Sequence, residues 1–199
     1  MTIARKDIVR DGEEGVYHCR SRCVRRAFLC GLDSYTGINY EYRKLWIEAR
    51  LELLVSLFAI DGVTCSIMSN HYHLIIRTRP DLLTALTDEE IARRWLRALP
   101  KEKRLDENWA PLEPGEKEVA EKVNDPEEMA TLRARLSSVS WFMAFMNEYI
   151  ARRANAEDGV EGRFFADRFK AKALLDEAAI LACMAYVDLN PIRAKLAES

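Results

Sequence analysis

Two short apolar runs divided by Ser69-Asn70 constrain this chain more than any other feature. Val63 to Met68 and His71 to Thr78 are each long enough for a strand and short for a globular helix. The polar pair between them reads as a tight connection, so a hairpin is predicted. The second run carries two of the chain's three histidines, His71 and His73. Successive strand side chains point to opposite faces, so both histidines project from one face and Tyr72 from the other. Two imidazoles side by side make half a metal site. Ser69 and Asn70 offer polar groups to orient them, and Leu74-Ile75-Ile76 anchors the strand behind them.

Around the hairpin the order is regular. Gly15 to Cys23 alternates enough to be a first strand, with His18 inside it. A helix is predicted over about 39–60, where Leu45, Leu51, Leu54, Val55 and Phe58 recur at three- and four-residue steps, ending at the turn signal Asp61-Gly62. Strand, helix, hairpin is the opening of a ferredoxin-like split βαβ unit, which closes with a further helix and strand. A helix from Ser137 to about Asn155, striped with Trp141, Phe145 and Tyr149, supplies the first of these. A last helix from Asp176 should stop before Asn190-Pro191. The predicted fold is α+β, an antiparallel ferredoxin-like sheet with helices on one face. One domain is expected over 1–199, with a charged, mostly helical insertion at about 80–136.

Charge is informative in its distribution. Lys and Arg total 30 against 32 Asp and Glu, a formal net charge of −2. Yet Arg20, Arg22, Arg25 and Arg26 form one cluster, and Arg163, Arg168, Lys170 and Lys172 another, interleaved with Phe164, Phe165 and Phe169. Cations among aromatics suit phosphates and stacked bases, so the second cluster is a candidate nucleic-acid contact, with an ordinary strand bearing a solvated basic edge as the alternative. The stretch from Lys101 to Ala130 is acidic instead. No apolar run approaches the ~20 residues that span a bilayer, so no membrane partner is expected. The five cysteines are irregularly spaced, as in reduced cytoplasmic proteins.

Metal-polarised phosphate chemistry needs a nucleophile. Tyr149 is the favoured candidate: it lies towards the end of a long helix, beside Asn147 and Glu148 and ahead of Arg152 and Arg153. Its place in the Trp141-Phe145 stripe allows a purely structural role as well. Tyr186 sits in a more apolar neighbourhood and ranks behind it.

The segments Gly15-Val16-Tyr17-His18, Met68-Ser69-Asn70-His71-Tyr72-His73-Leu74, Gly162-Arg163-Phe164 with Arg168-Phe169-Lys170, and Tyr186-Val187-Asp188-Leu189-Asn190-Pro191-Ile192-Arg193-Ala194 together resemble the single-tyrosine HUH transposases, in particular the REP-associated tyrosine transposases of bacteria. The resemblance implies Mg²⁺ or Mn²⁺ on His71 and His73, and a helix-borne tyrosine, carried over to Tyr149, that cuts single-stranded DNA through a 5′-phosphotyrosine. It implies a single-stranded or hairpin DNA substrate whose backbone the Arg20 to Arg26 and Arg163 to Lys172 patches would hold, a cytoplasmic, nucleoid-associated location, and a monomer or homodimer. Relatives place an amide-bearing third ligand one helical turn after the tyrosine. That position is Arg153 here, leaving Asn155 as the nearest amide. The alternative is a catalytically silent, domesticated relative that binds structured DNA.

Overall fold

In the computed structural model, which describes residues 8–10, 12–25 and 27–193 (backbone alone at 102 and 191–193), four strands form one antiparallel sheet. They are β1 (Gly15–Arg22), β2 (Ile60–Ile67), β3 (His71–Thr78) and β4 (Lys170–Leu174), in the order β2-β3-β1-β4. Helix α1 (Arg43–Leu57) joins β1 to β2, and α5 (Val139–Asp158) precedes β4. This is the split βαβ arrangement expected from the sequence. The register sets Gly15 opposite Thr78, Arg20 opposite His73 and Arg22 opposite His71.

Strand alternation sorts the sheet into two faces. Tyr17, Cys19, Tyr72, Leu74 and Ile76 enter the main core, which α1 and α5 cover. Their neighbours His18, Arg20, His71, His73 and Ile75 turn the other way. The second face is not left bare. Helix α6 (Glu177–Arg193) lies across it, with Val187 packed on Ile75 and Leu174. Ile180, Cys183, Met184 and Val187 recur at three- and four-residue steps and need an apolar partner. With the first face filled by α1 and α5, that partner is the far side of the sheet. The expectation of helices on one face therefore describes α1 and α5, and α6 is the correction to it.

Two predicted helix ends also move. Helix α1 stops at Leu57, and Phe58 is already extended, so Asp61-Gly62 lies inside β2, at a register shift between Gly62 and Thr64. A β-carbon on Gly62 would sit 3.3 Å from Val55 of α1. The glycine marks a close approach and a bulge rather than a turn. At the other end of the chain α6 runs through Asn190-Pro191 to Arg193.

Residues 80–136 contribute two 3₁₀ turns and three helices, α2 (Asp88–Ala98), α3 (Glu116–Val123) and α4 (Pro126–Leu136). Thr87 and Glu90 form a capping box on α2, and Asp125 caps α4 ahead of Pro126. Trp95 of α2 meets Trp141 and Phe145 of α5, with ring centroids 5.3 and 5.0 Å apart. The insertion thus shares the main core. Much of its acidity is matched within it: Glu113 pairs with Arg97, Glu116 with Arg93, Glu118 with Arg104 and Glu128 with Lys122.

Candidate active site

The second face of the sheet gathers all three histidines. His71 and His73 stand side by side on β3 with ring centroids 5.0 Å apart. His18 reaches across from β1, its Nε2 2.8 Å from His73 Nδ1. Those two rings are nearly parallel, 13° apart, with centroids 5.0 Å apart. A nitrogen–nitrogen distance of 2.8 Å plus two ring radii accounts for that separation, so the rings meet edge to edge through a hydrogen bond rather than face to face.

Each β3 histidine has one ring nitrogen engaged. His71 Nδ1 lies 2.8 Å from Asn70 Oδ1. A carboxamide oxygen only accepts, so His71 carries its proton on Nδ1 and keeps a lone pair on Nε2. His73 Nε2 is buried without a hydrogen-bond partner. The imidazoles are held neutral. Burial, followed by the charges of Arg20 and Lys172, lowers the pKa of His18, and burial with Arg20 and Arg22 lowers that of His71. For His73, 1% exposed, burial dominates and the flanking His18, His71 and Arg20 add to it, pushing the pKa down to about 3. Neutral imidazoles with lone pairs are the form that ligates metal. Among the described residues no group of three or more His, Cys, Asp or Glu is arranged to hold a metal ion. A cation here would need a third ligand outside those types.

The tyrosine at this face is Tyr186. Its ring meets the edges of His73 and His18 at centroid distances of 5.9 and 6.4 Å, and it is 42% exposed. One helical turn on, Asn190 shares its side of α6, and its amide nitrogen is buried without a partner. Asp188 fastens the helix to the edge strand by accepting from Thr64 Oγ1 at 2.9 Å.

Tyr149, the favoured nucleophile in the sequence, is on the opposite side of the sheet. It is 4% exposed, its hydroxyl donates to the Trp109 carbonyl at 3.3 Å and accepts from Arg153 at 3.0 Å, and Arg50 lies 4.8 Å above its ring. Core packing of the Trp141-Phe145 stripe takes it there. Asn155 sits near the end of the same helix α5, which covers the closed face, and donates to the Gly162 carbonyl at 2.9 Å, so the structure does not bring it together with His71 and His73. The signal that was available is the four-residue step from Tyr186 to Asn190, which places an amide one turn after a tyrosine. The apolar neighbours of Tyr186 are what seat α6 on the histidine face.

The cationic residues divide. Arg20, Arg22, Arg25, Arg168 and Lys170 line one cleft of about 600 Å³ together with Asn70, so this cleft adjoins the histidines. Lys172 pairs in register with His18. Arg163 lies elsewhere, in a second hollow of about 460 Å³ against α5, with Arg168 shared between the two. Arg26 lies outside the described residues. No helix among the described residues is long and apolar enough to cross a membrane.

No family model matches the chain, and no curated protein matches it. Among solved structures it is similar to a REP-associated tyrosine transposase bound to a REP hairpin, with TM-score 0.49 and 10% sequence identity over 98% of this chain and 74% of that one.

Proposed function

We propose that this protein is a metal-dependent single-stranded DNA nicking and strand-transfer enzyme of the HUH single-tyrosine type, acting on hairpin-forming DNA, with Tyr186 as nucleophile. The observation that carries this reading is the contact of a half-exposed tyrosine with the rings of His73 and His18, on a face framed by Arg20, Arg22, Lys170 and Lys172. In this reading Tyr186 takes the role that the resemblance carries over to Tyr149, and Asn190 that of the amide ligand for which Asn155 is the sequence's candidate.

The residues fit a divalent ion such as Mg²⁺ or Mn²⁺. His71 and His73 have Nε2 atoms free of hydrogen bonds, one of them buried and orphaned. Asn190 brings a carboxamide with unmet hydrogen-bonding capacity, whose oxygen is a hard donor suited to such ions. When bound, the ion would polarise a non-bridging phosphate oxygen and stabilise charge developing there. The remaining work belongs to the chain. The cleft cations hold the DNA backbone, which positions it without reading sequence. Tyr186 Oη attacks phosphorus and loses its proton to solvent, an Oη–P bond forms, and the P–O3′ bond breaks, its 3′-oxygen taking a proton from solvent to leave as a hydroxyl. Attack of a 3′-hydroxyl on the phosphotyrosine reverses the exchange, so strands rejoin without ATP.

The test is to incubate the protein with single-stranded hairpins from its genomic neighbourhood, with Mn²⁺ or with EDTA, and resolve covalent protein–DNA adducts on denaturing gels. The expected result is a Mn²⁺-dependent adduct that Tyr186→Phe abolishes and Tyr149→Phe retains. Hairpin binding with no adduct under any condition would leave the silent DNA-binding protein as the better reading.

A further inference from the structure

The two histidines of β3 are oriented by different means. His71 is held by its neighbour Asn70, a local contact along one strand. His73 is held by His18, 55 residues away, across the β1–β3 ladder. The His18–His73 hydrogen bond has two possible polarities, and they differ in what they leave at the far side of His73.

If His18 donated, His73 would carry its proton on Nε2, a buried atom with no acceptor in reach. An orphaned buried N–H is a costly feature. If His73 donates from Nδ1, the orphaned atom is a lone pair, the form in which an imidazole nitrogen binds a cation. His18 is the acceptor in that arrangement and carries its own proton on Nδ1. The near-coplanar edge-to-edge geometry, with 13° between the planes, aligns donor and lone pair.

We propose that His18 is a positioning residue for His73: it accepts the Nδ1 proton of His73, fixes that ring's tautomer and orientation, and so presents the Nε2 lone pair to a divalent cation. This rests on the metal-site reading given above. A partner that accepts from the non-ligating nitrogen of a histidine raises the ligand's basicity and freezes its ring, and losing one weakens metal binding about 10–100-fold. The chain spends its remaining histidine on this task where an amide serves His71. A side chain arriving from the next strand must reach over the pleat, and Nε2 of an imidazole does so without bending.

Two measurements decide it. In the metal-free protein, long-range ¹H–¹⁵N spectra are expected to show His73 protonated on Nδ1, and protonation on Nε2 would overturn the proposal whatever the metal does. Calorimetric titration with Mn²⁺ alone then compares the unaltered chain with His18→Gln, His18→Leu and His73→Ala, each checked for an unchanged melting transition. Gln places an acceptor oxygen about where His18 Nε2 stands, so His18→Gln is expected to bind Mn²⁺ nearly as well as the unaltered chain. His18→Leu should bind about 10–100-fold more weakly. Equal affinity in His18→Leu would overturn the proposal. So would a loss in His18→Gln as large as that in His73→Ala, which would make His18 a ligand itself. If the unaltered protein binds no Mn²⁺, the metal-site reading falls, and the tautomer measurement alone rules on His18.

Discussion

The two faces of the sheet use the same residue types for opposite ends. On the closed face Tyr72 and Tyr149 are buried, and their hydroxyls find partners inside the protein: Tyr72 donates to Asn147 Oδ1 at 2.5 Å, and Tyr149 to the Trp109 carbonyl. On the open face Tyr186 is half exposed beside two imidazoles. Arginines divide in the same way. Arg43 and Arg50, both carried on α1, are buried, whereas Arg20, Arg22 and Arg25 line an open cleft. A residue's chemistry here is set by which side of one strand, or which helix, carries it. Position on β3 alone shows this, because Tyr72 and His73 are adjacent in sequence and serve different faces.

The sharpest way to break this comparison is to exchange hydroxyl for hydrogen on each side. Tyr186→Phe should lower adduct formation by at least on the order of 10³-fold, since it removes the attacking atom, with little change in melting temperature. Tyr149→Phe should leave adduct formation intact and cost about 1 kcal/mol, or roughly 2–4 °C in Tm, for the hydrogen bonds lost to Trp109 and Arg153. Gel assays of both variants beside their melting curves give the answer, and an active Tyr186→Phe protein would sink the assignment.

Next in size is a purely structural break. Arg43 is fully buried and binds Glu157 at 2.9 Å, Asp158 at 2.5 Å and the Phe28 carbonyl at 2.7 Å, tying the start of α1 to the end of α5. Arg43→Met strands these acceptors and should cost about 3 kcal/mol, or roughly 6–12 °C. Because α1 and α5 cover the closed face, adduct formation below the transition should survive. A parallel collapse of activity at low temperature would show that the faces are coupled. Tyr72→Phe is the smaller version: Asn147 Oδ1 loses its donor, at about 1–2 kcal/mol read from denaturant unfolding, while its neighbour His73 keeps its place.

These expectations separate what the sequence makes legible from what it does not. The hairpin, the bounds of β3 at His71–Thr78, and the common face of His71 and His73 follow from a period of two, a local property. The mistaken end of α1 is also local in origin, since Asp-Gly serves as a bulge in a strand passing under Val55 as readily as it serves a turn. The choice between Tyr149 and Tyr186 is different in kind. Both lie on helices with apolar stripes, and no local pattern tells which face of a sheet a helix will cover. That depends on the direction in which the chain leaves β3 and β4. Only the residue one turn on, Arg153 in one case and Asn190 in the other, separates them within the sequence. The hydrogen bond between His18 and His73 was equally hidden, because strand register sets it.

The smallest effect concerns the cations, where the two regions to compare are the cleft and the insertion. Lys170 lines the cleft beside Arg20 and Arg168, whereas Arg93 is already matched by Glu116, with Nη2 2.7 Å from Oε1. Phosphate contacts release counterions, so each lysine or arginine that meets single-stranded DNA adds about 0.7 to the salt slope of binding. Lys170→Ala should weaken hairpin binding by a few-fold and flatten the plot of log affinity against log salt by about 0.7–1. Arg93→Ala should leave that slope unchanged, because a cation paired within the insertion releases no counterion on binding. Fluorescence anisotropy of a labelled hairpin across a salt series resolves a difference of this size. Equal slopes for the two variants would place the DNA outside the cleft, and the histidine face would lose the electrostatic half of its role.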